Sequence, residues 1–293
     1  TSFLPTVVTS PVHRRRAAIE ALSELRSGSD STPTGADPIG LHFEGPMISR
    51  SHLGAHSASH VTTLEASEID AWHESGMVRL VTLAPEVPGA IDVIRQLSDG
   101  GVVVSGGHTA MTPVDLARAR NAGLRYATHL FNAMAAFNHR APGPIGAVLG
   151  DDTLVAGLIA DGLHVDPVAI SMAWNALGPS RTSLVSDAVG ALGLPYGHNR
   201  IAGFEIIHDE TGVRTVGGVL AGSALALDQA VRNLITWTGC SLPDAVATVT
   251  TTPADLLGLT DRGTLRVGGR ADLTILDADA RLVRTVVAGT TLF

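Results

Sequence analysis

The chain has 293 residues, 45% of them hydrophobic and 16% charged, with 20 basic and 28 acidic side chains and a formal net charge of −8. That is enough apolar material for one large core, and the acidic balance, with no Lys/Arg cluster interleaved with aromatics, argues against a nucleic-acid-binding surface. One cysteine, Cys240, leaves no disulfide framework and fits a reducing cytoplasm, and no apolar run approaches the length of a membrane span.

Strand-like runs alternate with helical patterns along most of the chain. Phe3–Val8 reads as a strand and Arg14–Ser27 as a helix, with Ile19, Leu22 and Leu25 at helical spacing and Arg14, Arg15 and Arg16 as a solvated face. A loop rich in Ser, Thr, Pro, Gly and Asp covers Gly28–Pro38. Ile39–Glu44 is a second strand, followed by a long polar stretch over Gly45–Thr63 and a helix over Glu65–Ser75. Strands at Val78–Leu83, Val102–Ser105, Arg125–Thr128, Leu154–Ala160 and Thr182–Ser186 complete the series. Helices at Gly89–Asp99, from Thr112 to about Asn121, and at Pro167–Leu177 return the chain between some of them. Thr112 followed by Pro113 is an N-cap with proline in the first turn.

Seven strands with helical returns could build an open doubly wound sheet. A (β/α)8 barrel lacking its first strand accounts better for the count and for a chain that opens, without Met, inside an apparent strand; residues are expected before Thr1. After Asp187 the pattern changes. Ile201–His208 and Val213–Val216, joined through Glu210, Thr211 and Gly212, read as an inserted hairpin, and Leu225–Thr236 and Pro243–Thr248 read as helices. The tail holds short strands at Gly263–Leu265, Ala271–Leu276 and Leu282–Val287 with no helix between, like part of a small β-domain.

Five polar residues stand at the ends of strand-like runs: Glu44, His108, His129, His164 and Asp187. In a parallel barrel the C-terminal strand ends meet at one mouth, so these residues would share a site. A carboxylate and two imidazoles suit a divalent metal with a position left for water, and a second carboxylate suits a proton shuttle. Each residue also has a plainer reading. Glu44 could be salt-bridged across the barrel top, His108 and His129 could be satisfied core histidines, and His164 a hydrogen-bonded structural one. Asp187 could be a helix N-cap, although no helix follows at once. His42 points to the same side as Glu44, one layer deeper, and reads as a packed, hydrogen-bonded histidine. His56, on the loop after Glu44, has the look of a solvent-facing residue. His13, His52, His60, His73, His198 and His208 carry no motif and read as surface or packing residues.

These residues fall in GLHFEGPMIS at 40–49, GAH at 54–56, GGHT at 106–109, THLFNAM at 128–134, HRAPG at 139–143, ADGLH at 160–164, LVSDA at 184–188 and LAGSAL at 220–225. In that combination the chain resembles the N-acetylglucosamine-6-phosphate deacetylase branch of the amidohydrolase superfamily, and RGTLRVGGRADLTILD at 262–277 is similar to the generic amidohydrolase ending. The resemblance implies an α/β fold, a (β/α)8 TIM-like barrel over residues 1–260, with 261–293 as the C-terminal strands of a small β-sandwich domain built from both chain ends. It implies Glu44, His108 and His129 as ligands of a divalent metal, with Zn2+ the favoured ion. Any HxH motif that would bind a second ion would lie before Thr1, so one or two ions per subunit stay open. It implies Asp187 as catalytic acid/base and His56 as a residue that polarises the amide carbonyl. Ala55, Asn132, Ala133, Arg140, Asp161, Gly162, Leu163, His164, Leu220, Ala221, Gly222 and Ser223 match substrate-binding positions. Arg140 matches an arginine that reaches the phosphate in the neighbouring active site, which implies a homodimer. The activity implied is hydrolysis of the acetamide of N-acetylglucosamine 6-phosphate to glucosamine 6-phosphate and acetate, in cytoplasmic amino-sugar metabolism. The alternatives are the same chemistry on the galacto epimer, another cyclic-amide hydrolase of the superfamily, or a non-catalytic sugar-phosphate-binding protein.

Overall fold

Seven of the apolar runs lie side by side and parallel in the computed structural model, which describes residues 1–28, 35–201 and 204–292. They are β1 (Thr6–Val8), β2 (Leu41–Glu44), β3 (Val78–Leu83), β4 (Val103–Gly106), β5 (Leu124–Ala127), β6 (Val155–Leu158) and β7 (Thr182–Leu184), neighbours in that order. The returns carry α1 (Val12–Ser27), α2 (Ala66–Ser75), α3 (Ala90–Asp99), α4 (Pro113–Asn121), α5 (Gly143–Gly150) and α6 (Pro167–Arg181). Consecutive parallel strands joined through helices are the architecture of a (β/α)8 barrel. Among the described residues β1 and β7 are the edges of the sheet.

The period-two alternation of the strands separates two apolar regions. Phe43, Val81, Leu83 and Val104 belong to the main core with helix residues such as Trp72, Ile94 and Leu97. Phe43 packs against Trp72 with ring centroids 4.7 Å apart. Leu80, Val103 and Tyr126 form a separate cluster with Leu4, Val155, Leu256 and Leu257. A buried polar chain also crosses the sheet: Thr6 Oγ1 lies 3.0 Å from His42 Nδ1, His42 Nε2 2.7 Å from Thr82 Oγ1, and Thr128 Oγ1 2.7 Å from Thr82 and 2.6 Å from Ser105. His42 is thus a packed, hydrogen-bonded histidine, and burial, partly opposed by the Glu44 charge, pushes its pKa down to about 4.

Beyond β7 come β8 (Gly197–Ile201), β9 (Phe204–Asp209) and β10 (Gly212–Thr215), an antiparallel three-stranded sheet. Helices α7 (Leu227–Thr238), α8 (Leu242–Ala247) and α9 (Thr251–Leu256) follow, then a second antiparallel sheet of β11 (Leu273–Leu276), β12 (Leu282–Val287) and β13 (Thr290–Thr291).

Thr112 caps α4 as expected: its hydroxyl accepts the Asp115 N–H, and Asp115 accepts the Thr112 N–H in return. Several expectations are corrected. Phe3–Val8 is not one strand; Ser2–Phe3 pairs with Asp37–Pro38, and β1 begins only at Thr6, after Pro5. The run Ile201–His208 spans the end of one strand and most of the next, with residues 202–203 outside the described set, and Gly212 opens β10 rather than closing a turn. Residues 29–34 of the first loop also lie outside that set. Gly263–Leu265 forms no strand. Arg15 is not on a solvated face: it is 3% exposed, paired through two nitrogens with Glu68 at 2.6 and 2.9 Å, and donates to the Ser10 carbonyl. Helix α5 was not expected from a segment with three glycines and a proline. Its Gly146 explains the composition, since a Cβ there would stand 2.4 Å from Pro142 Cβ and 2.9 Å from Phe137 Cε2.

Candidate active site

The strand ends put the polar residues in one place. Glu44 is the last residue of β2, His108 lies just beyond β4, His129 just beyond β5 and Asp187 just beyond β7. Parallel register aligns these ends, with Val8 opposite Glu44, Glu44 opposite Thr82, and Gly106 opposite Ala127. His108, His129 and Asp187 all have left-handed backbones, with φ of 49°, 28° and 47°. A residue with a Cβ reaches that region only at a cost, and such residues gather at functional sites where the surroundings enforce them.

Glu44 is buried, and three imidazoles converge on its carboxylate. Oε1 lies 3.0 Å from His108 Nε2 and 2.9 Å from His129 Nε2, and Oε2 lies 3.2 Å from His56 Nε2. Burial alone would raise the Glu44 pKa, but the imidazoles gathered around its carboxylate hold it well below the usual carboxylate range. At His108 burial prevails and lowers the pKa despite Glu44. At His129 burial also works downward, but Glu44 and then Asp187 outweigh it and raise the pKa to about 9. One carboxylate thus supports one protonated ring more readily than two.

The ligand atoms of Glu44, His108 and His129 lie within 4.8 Å of one another, a group able to hold a metal ion. The orientation of His108 tests the fit. Its Nδ1 lies 2.9 Å from the His52 carbonyl, which can only accept, so the proton sits on Nδ1. The Nε2 lone pair of the neutral ring then faces the Glu44 carboxylate across 3.0 Å. Two lone pairs at that separation call for a cation between them, and a second hydrogen bond that fixes the tautomer is the usual support of a metal-binding histidine.

His56 belongs to the site and is not a solvent-facing loop residue: its side chain is 6% exposed. Thr9, the residue after β1, holds it. The Thr9 hydroxyl donates to the Glu44 carbonyl at 2.9 Å and lies 2.8 Å from His56 Nδ1. Thr9 and the His52 carbonyl were not singled out from the sequence. The one local signal was Gly45 after Glu44: with φ of 86°, it sits where a Cβ would come within 2.1 Å of Thr9 Oγ1.

Asp187 lies within electrostatic reach of His129, Glu44, His164 and His108. Burial, reinforced by the negative charge of Glu44 and opposed by the three rings, lifts its carboxyl above the ordinary aspartate range. No helix begins at Asp187, so it is not an N-cap. The Leu220–Ser223 segment is brought to it: Ser223 N–H donates to the Asp187 carbonyl at 2.8 Å, and Val189 N–H to the Ser223 carbonyl at 3.0 Å. Gly222 fits there because a Cβ would lie 2.8 Å from the Asp187 carbonyl oxygen. His164 stands apart from the metal-holding group, its Nδ1 2.6 Å from Asp161 Oδ2. Asp161 also accepts the backbone N–H groups of Leu163 and His164 at 2.9 and 2.8 Å. Leu163 and Leu220 meet over Gly212, where a Cβ would lie 3.2 and 3.4 Å from them. Ala55 adjoins His56 and, one residue further back, Gly54 lies against His108 and Ala133. Asn132 donates to the His129 carbonyl at 3.3 Å, and Ala133 accepts the Thr109 N–H at 3.1 Å. Arg140 is exposed, and its guanidinium has no partner among the described residues.

Comparison with known proteins places this arrangement. The amidohydrolase family matches residues 223–291. Over 100% of the chain the sequence is 34% identical to the N-acetylglucosamine-6-phosphate deacetylase of Bacillus subtilis, covering 75% of that protein. It is 39% identical to the human enzyme of the same name, over 99% of this chain and 72% of that one. The chain belongs to the N-acetylglucosamine-6-phosphate deacetylase family. A solved structure of a Mycobacterium smegmatis deacetylase variant, in complex with N-acetyl-D-glucosamine-6-phosphate, superposes with a TM-score of 0.92 at 33% identity, covering 100% of this chain and 76% of the other. The family's fold is therefore the one described above. Among the described residues no helix is long and apolar enough to cross a membrane.

Proposed function

We infer that this chain hydrolyses the acetamide of N-acetylglucosamine 6-phosphate, giving glucosamine 6-phosphate and acetate. The observation that carries the reading is the convergence of three imidazoles on Glu44 at the strand ends of a deacetylase-family fold. We propose Glu44, His108 and His129 as holders of one divalent ion, with Zn2+ suited to two imidazoles and a carboxylate. When bound, such an ion lowers the pKa of water and draws charge from a carbonyl oxygen.

The chain's own side chains supply the rest. Asp187 takes a proton from the attacking water as the oxygen forms its bond to the acetyl carbon. His56 faces the same space and stabilises the developing oxyanion. As the C–N bond breaks, Asp187 returns the proton to the amine nitrogen, which leaves as glucosamine 6-phosphate. His164, held by Asp161, and the Leu220–Ser223 segment are proposed to bind the sugar. Arg140, whose forked guanidinium suits phosphate, is proposed to serve the neighbouring subunit of a homodimer.

The test is acetate release from N-acetylglucosamine 6-phosphate by Zn2+-loaded protein, run in parallel on the galacto epimer and on unphosphorylated N-acetylglucosamine. The reading requires the highest kcat/KM on the phosphorylated gluco sugar. Faster turnover of the galacto epimer would reassign the substrate, and sugar-phosphate binding without acetate release would make the protein a sensor.

A further inference from the structure

We propose that Glu86 is a positioning residue for His108 and, through it, sets the metal affinity of the site. The inference rests on the metal-dependent reading above. Glu86 lies three residues beyond β3, and its hydrogen bonds go to Thr109 and Ala110 rather than to the three proposed ligands. Both of its carboxylate oxygens are engaged by the turn after β4: Oε1 accepts the Ala110 N–H at 2.6 Å, and Oε2 accepts the Thr109 hydroxyl at 2.5 Å. Hydrogen bonds to an ionised carboxylate are roughly twice as strong as neutral ones.

Thr109, fully buried, carries this grip across the site. Its hydroxyl oxygen accepts the Met111 N–H at 2.9 Å. Its own N–H donates to the Ala133 carbonyl, and its carbonyl accepts the Ala135 N–H, both at 3.1 Å. The staple therefore joins the ends of β3, β4 and β5, the strands around His108 and His129. His108 is the residue immediately before Thr109, with φ of 49°. That conformation persists only where neighbours enforce it. From the loop after β2 the enforcing contacts are the Ser49 N–H to the His108 carbonyl and the His108 ring to the His52 carbonyl, both at 2.9 Å. On the C-terminal side of His108 they run through Thr109 and Ala110 to Glu86. Without the carboxylate the turn can relax toward an ordinary backbone, and Nε2 swings off the direction of Glu44.

The experiment is the Zn2+ affinity of the metal-stripped full chain, by competition with a chromophoric chelator, beside thermal unfolding of the same metal-free proteins. Glu86→Gln keeps the size and removes the charge, Thr109→Val keeps the shape and removes the hydroxyl, and Thr109→Ser keeps the hydroxyl. Removing an outer-shell partner of a metal ligand costs about 10- to 100-fold, so Glu86→Gln and Thr109→Val should raise the Zn2+ Kd by about that factor. Thr109→Ser should bind nearly as wild type. The Glu86→Gln/Thr109→Val double variant should be little weaker than the worse single one, since both delete the same contact. The absorption spectrum of the Co2+-loaded protein should change in Glu86→Gln. If Glu86 merely stabilises the fold, the metal-free unfolding temperature falls and the Zn2+ affinity of the folded protein stays put; that result overturns the proposal. Wild-type affinity in Thr109→Val overturns it as well, and the threonine variants decide alone should Glu86→Gln not fold. A wild-type chain that binds Zn2+, loses it on His108→Ala and yet releases no acetate overturns the assigned reaction while leaving this comparison of affinities intact.

Discussion

Gly45→Ala is the substitution whose cost can be worked most directly from the geometry. Gly45 has φ of 86°, and an added Cβ would lie 2.1 Å from Thr9 Oγ1 and 3.3 Å from Thr9 Cβ. Alanine in the left-handed region costs about 1–2 kcal/mol. The contact with Oγ1 is impossible, so the Thr9 side chain must turn away. It then gives up the 2.9 Å bond to the Glu44 carbonyl and the 2.8 Å contact with His56 Nδ1, in a residue only 4% exposed. Two buried hydrogen bonds are worth about 1 kcal/mol net each, which brings the total to roughly 3–4 kcal/mol. For a chain of this length the expected fall in Tm is roughly 5–7 °C, measured by circular dichroism on metal-free protein. His56 also loses its anchor, so acetate release should fall with it. Thr9→Ala in the same chain removes the colliding oxygen, so the double variant should be about 2 kcal/mol more stable than the sum of the singles. A Gly45→Ala protein within about 1 kcal/mol of wild type, or strict additivity in the double variant, would refute the reasoning.

Asp187→Asn keeps the shape and removes the base, so kcat should drop by about 100-fold or more with Zn2+ content unchanged; wild-type turnover would remove Asp187 from the proton-transfer role. In the metal-free protein the His129 pKa is raised to about 9. The raised value means that the His129–Glu44 pair stabilises the metal-free fold fully below the ordinary histidine range and loses that contribution as pH rises through about 9. Zn2+ must displace this proton, so binding near pH 8 should release protons and tighten as pH rises, which calorimetry in two buffers of different ionisation heat will show; proton-neutral binding at that pH would contradict it. Arg140→Ala should raise KM for the phosphorylated sugar, and mixing Arg140→Ala with Asp187→Asn subunits should restore activity, because one hybrid site holds both an intact Asp187 and an intact Arg140. If Arg140 serves its own subunit, mixing restores nothing.

Much of the sheet was legible because its signals are local. Val78–Leu83 is apolar enough to mark a buried strand without reference to its neighbours, and Thr112 and Pro113 announce the start of α4 in two adjacent residues. Helix α5 was not legible, because GPIGAVLG is rich in glycine; in the fold Gly146 leaves room for Phe137, which a Cβ there would meet at 2.9 Å. Arg15 was misread for the same reason. Three consecutive arginines look like a solvated face, and only the arrival of Glu68, 53 residues later, makes one of them a buried partner.

In the site the division follows from which atoms need a long-range partner. The donor types, a carboxylate and imidazoles at successive strand ends, can be read along the chain, because strand periodicity and the Gly turns after them are local properties. Which ring nitrogen faces Glu44, and what keeps it there, is set once the chain has folded. Those choices belong to Thr9, the His52 carbonyl and Glu86, which act on His56, the His108 ring and the turn after His108 from 47, 56 and 23 residues away along the chain. Hydrogen bonds across such separations exist only once the parallel strands have set their ends side by side.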